Sequence, residues 1–85
     1  MVQYSIMIVT DIVTVVGRGN IVCCDDKTEL VNNHVKIGDK LKINDTTFEL
    51  IGFESWEYQK RCGLVLRPND IVRDVVHIND IVKVS

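Results

Sequence analysis

The side chains with the most reactive chemistry in this chain are three thiols and two imidazoles, and their spacing is not that of a catalytic or metal site. His34 and His77 lie far apart, and neither belongs to a nucleophile or metal-binding motif. Cys23, Cys24 and Cys62 are an odd number without C-x-x-C spacing, which argues against a disulfide framework or a zinc ribbon. The sequence therefore predicts a protein that is not an enzyme, with no metal and no cofactor.

Two acidic residues directly follow the adjacent thiols, an arrangement that could hold a cation or a redox pair. Successive residues of a strand point to opposite faces, however, so Cys23 and Cys24 are expected to be separated. One of these thiols should then pack in the core while the other is exposed.

Aromatic and charged residues are mixed in one segment, from Glu54 to Arg61, which the sequence predicts to be an exposed connection. Aromatic rings beside arginine suit a contact with protein or RNA. For Trp56, however, packing at the edge of the core is the favoured expectation. Glu54 could pair on the surface with Lys60 or Arg61, a type of interaction that contributes about 0–1 kcal/mol.

Composition places the chain among small β proteins. Its 85 residues predict one domain, residues 1–85, and Val, Ile and Thr supply 29 of them while Ala is absent. The net charge of −2 gives no general attraction to phosphate backbones, so no duplex DNA is expected as a partner. Three cysteines without a disulfide pattern suit a reducing cytosol, and the first residues lack the basic region of a signal peptide. Asp11 interrupts the first apolar run well short of membrane-spanning length. Together these observations predict a cytoplasmic protein without a membrane segment.

Turn residues divide the chain into short strands. A long first strand from Tyr4 to Val16 should turn at Gly17-Arg18-Gly19-Asn20 and return through Cys24 as a hairpin. The segment 25–33 could be a wide loop or one helical turn. The later predicted elements are two short strands within Val35–Ile43 that meet at Gly38-Asp39, a strand through Phe48–Phe53, one at Gly63–Leu66, and two in the tail at Val75–Ile78 and Ile81–Val84.

The order of these segments resembles domain II of the translational GTPases, the β-barrel module of elongation factor Tu. The resemblance is carried by four pieces in sequence: Asp11-Ile-Val-Thr-Val-Val-Gly-Arg-Gly-Asn20, Val35-Lys-Ile-Gly-Asp39, Ile51-Gly-Phe-Glu-Ser-Trp56 and Gly63-Leu-Val-Leu-Arg67. It implies an all-β fold, a small closed or nearly closed antiparallel β-barrel of about six or seven strands. The G-x-x-x-x-G-K-[ST] loop of a GTPase is absent from the sequence.

The same resemblance implies a binding face for a protein or RNA partner. In that family the first hairpin and the glutamate of the Gly-x-Glu segment help to hold the aminoacylated end of transfer RNA. The matching positions here are Val13, Val15, Gly17, Arg18, Gly19, Glu54 and Arg67. They predict a free-standing, non-catalytic binding module, whose partner could be an RNA 3′ end or another translation component, with Arg18, Glu54 and Arg67 converging on one face.

The residues leave other roles open. The chain could be a structural or regulatory subunit that docks on a larger protein through a strand edge or through the 25–33 loop. A small enzyme is the third class of function, and the spacing of the histidines and cysteines argues against it.

Overall fold

A computed structural model describes residues 7–26, 28–55 and 62–84 of this chain. Within these ranges it contains six strands and two short helices. The strands are β1 (Met7–Val15), β2 (Gly19–Cys24), β3 (Lys40–Ile43), β4 (Thr46–Ser55), β5 (Cys62–Arg67) and β6 (Ile81–Val84), and the helices are α1 (Thr28–Asn32) and α2 (Val72–Val75).

The six strands form one closed antiparallel sheet. Their order is β1-β2-β5-β4-β3-β6, and β6 pairs with β1 through Met7 opposite Val82, which completes the ring. The predicted all-β class and antiparallel pairing are therefore confirmed, with six strands.

The first hairpin has the predicted turn. β1 and β2 pair from Val9 opposite Cys24 to Val15 opposite Gly19, with a bulge between Val9 and Asp11. Gly17 and Gly19 have φ angles of +86° and +85°, a region that favours glycine because it has no Cβ. The hairpin can therefore turn within three residues.

Alternating apolar residues of the strands fill the inside of the ring. Phe48 and Leu50 of β4 are fully buried, as are Leu64 and Leu66 of β5 and Val22 of β2. A second bulge, between Leu50 and Gly52, interrupts the alternation of β4 and leaves Phe53 39% exposed. No polar or charged residue is buried in the part of the chain that the structure describes.

Two of the predicted strands are not formed. The predicted strand Val75–Ile78 is wrong, because α2 occupies Val72–Val75 and the chain reaches β6 through a turn. Val72 and Val76, four residues apart, are both fully buried, so one face of a helical turn packs on the core. In this segment packing overrides the strand preference of β-branched residues.

The first half of the predicted pair within Val35–Ile43 is also a loop. Lys36 N donates to Asp39 Oδ2 at 3.0 Å, and Gly38, with φ +101°, donates its N–H to Leu50 O at 2.7 Å. The predicted bend at Gly38-Asp39 is present, but only β3 follows it as a strand.

The structure also decides between the two alternatives for 25–33. This segment contains one helical turn, α1, with Leu30 buried and Val31 exposed. The predicted roles of Trp56, Lys60 and Arg61, and the start of the first strand at Tyr4, lie outside the described residues.

Candidate functional site

The outer face of the first hairpin carries apolar side chains. Val13 and Val15 point away from the core, because the inward positions of β1 are Met7, Val9 and Ile12. Opposite them in β2, Ile21 pairs with Val13, and Cys23 follows two residues later on the same face. These side chains form an apolar strip on the outside of the ring.

Glu54 of β4 reaches the apolar strip on β2 because the strand between them, β5, has a glycine at this level. Gly63 of β5 pairs with both Cys23 and Glu54, so it lies midway between β2 and β4. A Cβ at Gly63 would lie 2.8 Å from Ile21 Cγ2 and 3.1 Å from Glu54 Cβ. The missing side chain therefore allows Ile21 and Glu54 to approach each other over the backbone of β5.

An ion pair joins the turn of the hairpin to β4. The Arg18 guanidinium Nη1 contacts Glu54 Oε1. Oε1 of Glu54 is buried, whereas the Arg18 side chain remains 58% exposed. Arginine thus covers the carboxylate and still presents N–H donors to the solvent.

These residues enclose a groove of about 220 Å³ on the outer face. The groove is lined by Val13, Val15, Arg18, Ile21, Cys23 and Glu54. Four of the residues that the sequence predicted, Val13, Val15, Arg18 and Glu54, therefore meet at one site. Apart from the Arg18–Glu54 pair at its side, the lining is apolar or a thiol.

Arg67 does not line this groove. It lies opposite Glu49 in the β4–β5 ladder, and Arg67 Nη1 is 3.7 Å from Glu49 Oε1. The three predicted charged residues are thus divided between two ion pairs, with Arg18 and Glu54 together and Arg67 apart from them.

Gly17 and Gly19 shape the turn and differ in their surroundings. Gly17 has open space where a side chain would be, while a Cβ at Gly19 would clash with the Asn69 side chain, 2.9 Å from its Cγ. Asn69 accepts the Asn20 N–H at its Oδ1 and donates from its Nδ2 to Asn20 O, both at 2.8 Å. Gly19 is therefore required for the contact between the turn and the segment after β5.

A polar network holds the other side of the hairpin. Arg73 Nε donates to Thr14 Oγ1 at 2.8 Å, and Arg73 Nη2 donates to Ile12 O at 3.3 Å. Asn20 Nδ2 donates to Asn69 O at 2.9 Å. These contacts fix the position of the hairpin that presents the groove.

The sequence interpretation missed Ile21 and Cys23 as lining residues and Asn69 as the support of the turn. The first two could have been found by pairing β2 with Val13 and Val15 across the Gly-Arg-Gly turn. The contacts of Asn69 join residues that are distant in the sequence, and no local pattern indicates them.

The three thiols have different environments. Cys23 is partly exposed and lines the groove, whereas Cys24 and Cys62 are buried, so the predicted separation of the two adjacent thiols is confirmed. The pKa of Cys24 is raised well above its usual range. The larger cause is a hydrogen bond with Cys62, and the second is burial of the thiol. Cys24 therefore remains a neutral thiol at pH 7.

A larger open cavity of about 420 Å³ lies near the β3–β4 turn. It is lined by Lys42, Asn44, Asp45, Asn79, Asp80, Ile81 and Lys83. Two of its polar groups already support turns, since Asn44 Nδ2 donates to Asp80 Oδ2 at 2.6 Å and the His77 N–H donates to the same oxygen at 2.7 Å. Its two lysines are matched by two aspartates. The groove at Arg18 and Glu54 is the better candidate site.

Two further classes of site were sought in the described ranges. Among residues 7–26, 28–55 and 62–84, no three side chains of His, Cys, Asp or Glu are arranged to hold a metal ion. The helices of this part of the chain are too short to cross a membrane.

Comparison with known proteins identifies no relative. No protein-family model matches the sequence, and neither a curated protein nor a solved structure was found that matches this chain.

Proposed function

We propose that this chain is a non-catalytic binding module of the translation-factor domain II type, which holds a protein partner in the groove beside Arg18 and Glu54. The observation that carries the proposal is the meeting of Val13, Val15, Arg18 and Glu54, from separate strands and a turn, around one groove of about 220 Å³. The closed antiparallel sheet supports the same type of module.

The exposure of apolar residues favours a binding role for this face. The outer face of an antiparallel sheet that contacts water is usually polar. Here Val13 is 40% exposed, and Val15, which lines the same groove, is half-buried. Exposed apolar groups next to one another and rimmed by charges are typical of an interaction site.

The arrangement of charges favours protein over RNA. Arg18 and Arg67 are each paired with a glutamate, so a phosphate group would have to compete with a carboxylate already in place. The total charge of −2 adds a further repulsion. An apolar side chain of a protein partner could enter the groove while the Arg18–Glu54 pair stays intact, with Arg18 offering its free donors at the rim.

Site-specific cross-linking tests the position of the partner. A photoreactive phenylalanine analogue is placed at Val13, and in a matched protein at Ile37, which is also exposed but does not line the groove. We expect one defined protein to cross-link at position 13 and not at position 37. That protein is then purified and titrated against both Val13→Glu and Ile37→Glu.

We expect Val13→Glu to weaken binding by about tenfold or more, because a carboxylate in an apolar groove loses hydration, and Ile37→Glu to leave the affinity unchanged. Equal effects of both variants would place the partner elsewhere. A third protein carries the analogue at Val31, on the exposed side of α1. A cross-link there and not at position 13 would favour the alternative of a subunit that docks through the 25–33 loop.

A titration with a short RNA ending in CCA tests the RNA alternative. Amide shifts of residues 13–20 and 52–54 are followed in the wild type and in Arg18→Ala. Saturable shifts that Arg18→Ala removes would favour an RNA end over a protein partner. Their absence at millimolar RNA leaves the protein proposal standing.

A further inference from the structure

Two buried thiols face each other across neighbouring strands. Cys24 is the last residue of β2 and Cys62 is the first of β5, and the two are direct partners in the β2–β5 ladder. Both belong to the core, with exposures of 0% and 1%. Their thiols are in hydrogen-bonding contact.

The geometry of directly opposed strand residues suits a disulfide. Opposed Cα atoms in an antiparallel pair lie about 4.5–5.5 Å apart. This lies within the usual Cα separation of a disulfide, about 4.4–6.8 Å. Because the two side chains already point to the same face and touch, a bond between them needs little movement of either strand.

We propose that Cys24 and Cys62 are a thiol–disulfide pair, which a small disulfide such as oxidised glutathione converts reversibly to a bond between β2 and β5. The third thiol, Cys23, is on the opposite face of β2 and does not take part. The proposal is independent of the binding role of the groove, because neither Cys24 nor Cys62 lines it.

The exchange consumes one molecule of oxidised glutathione and releases two molecules of reduced glutathione. The Cys62 sulfur, as thiolate, attacks one sulfur of oxidised glutathione, forms a mixed disulfide and releases the first glutathione thiolate. The Cys24 thiol gives its proton to a base in water, attacks the Cys62 sulfur and releases the second glutathione thiolate. The two cysteines are thereby oxidised and one glutathione disulfide is reduced. Local opening at the start of β5 admits the reagent.

Equilibration of the folded protein in glutathione redox buffers tests the pair. The reactions are quenched with acid and analysed by mass spectrometry of the intact protein and of tryptic fragments. Trypsin leaves Cys23 and Cys24 together in the fragment 19–27 and Cys62 in the fragment 62–73, because it does not cleave the Arg67–Pro68 bond. Wild type is compared with Cys24→Ala and Cys62→Ala, with Cys23→Ala as the matched control.

We expect wild type and Cys23→Ala to lose two hydrogens and to join the two fragments, and excess reduced glutathione to reverse the change. Neither Cys24→Ala nor Cys62→Ala should form the link. The linked protein should also unfold at a higher urea concentration, because the bond restricts the unfolded chain. Circular dichroism identifies any variant that does not fold. If Cys24→Ala or Cys62→Ala does not fold, the link in Cys23→Ala still tests the proposal, because this variant retains only Cys24 and Cys62.

Three results would overturn the proposal. The first is wild type that keeps all its thiols in fully oxidised glutathione while urea-unfolded protein reacts. The second is a link that Cys23→Ala abolishes. The third is a bond only between two molecules, seen as a dimer without the intramolecular link.

Discussion

Two glycines of the first hairpin turn allow the effect of backbone conformation to be separated from the effect of a close side-chain contact. Gly17 and Gly19 have nearly equal positive φ angles, but only Gly19 is in contact with Asn69. Alanine at either position meets the strain of the left-handed region, about 1–2 kcal/mol. At Gly19 the new methyl group also displaces the Asn69 side chain.

We therefore expect Gly19→Ala to lower the free energy of unfolding by about 1–3 kcal/mol more than Gly17→Ala, because it also breaks the Asn69 hydrogen bonds. Urea unfolding of both variants, followed by circular dichroism, measures the difference. Equal losses in the two proteins would show that the Asn69 contact has no energetic weight.

The raised pKa of the Cys24 thiol implies that the folded protein loses stability at alkaline pH. The hydrogen bond to Cys62 and burial raise its folded-state pKa, whereas in the unfolded chain a cysteine has a pKa of about 8.5. Above that pH the unfolded chain releases a proton that the folded protein keeps, so ionisation favours unfolding. The contribution is complete below about pH 8.5 and is lost as the pH rises toward the folded pKa.

We expect the free energy of unfolding of wild type to fall between about pH 8.5 and 10 by up to about 1.4 kcal/mol per pH unit from this group. Cys24→Ala should show a shallower slope, while Cys23→Ala should keep the slope of wild type. Urea titrations at several pH values provide the comparison, and parallel slopes for wild type and Cys24→Ala would contradict it.

The first hairpin depends on a side chain outside it. Asn69, in the connection from β5 to α2, pairs with both the N–H and the carbonyl of Asn20, much as a neighbouring strand would. Asn69→Ala should lower the free energy of unfolding by about 1–3 kcal/mol, since each lost hydrogen bond contributes about 0.5–1.5 kcal/mol. Asp70→Ala, at the exposed neighbouring position, is the control.

Hydrogen exchange identifies where Asn69→Ala acts. The Asn20 amide should exchange faster than in wild type, relative to amides of the core strands. Unchanged protection of Asn20 would mean that β1 and β2 hold the turn without Asn69.

Local sequence signals predicted the elements whose ends are marked by turn residues. The Gly-Arg-Gly turn located β1 and β2, and Asn44-Asp45, both with positive φ, separates β3 from β4. The strand predicted at Val75–Ile78 is not formed because Val76, one of its residues, packs on the core together with Val72, one helical turn earlier. This packing depends on strands that are distant in the sequence, so the residue types of the segment itself do not indicate it.

The candidate site was predictable in part for the same reason. Val13, Val15 and Arg18 follow from one hairpin, and Glu54 was indicated by the order of the segments. Arg67 was expected beside them, but the strand register places it opposite Glu49. Register between strands distant in the sequence depends on the bulge between Leu50 and Gly52. The glycine inside this strand is a local signal for a bulge, but the prediction of a regular strand over Phe48–Phe53 did not use it.

For the whole molecule, the given sequence lacks the phosphate-binding loop that translational GTPases use. Backbone amides of a G-x-x-x-x-G-K-[ST] loop and its Ser/Thr hydroxyl hold phosphates and magnesium, and no such loop is present. We expect no binding of GTP with magnesium in calorimetry and no phosphate release. A translational GTPase measured in the same way is the positive control, and micromolar affinity for this chain would contradict the prediction.

The pairing of β6 with both β1 and β3 also constrains the order of events during synthesis. The ring lacks one of its six strands until Ile81–Val84 leave the ribosome, although β1 was made first. Until then the nascent chain exposes two strand edges that can pair with other chains. Completion of the fold therefore waits for residue 84, and a chain stalled before residue 81 should be sensitive to protease and prone to aggregate.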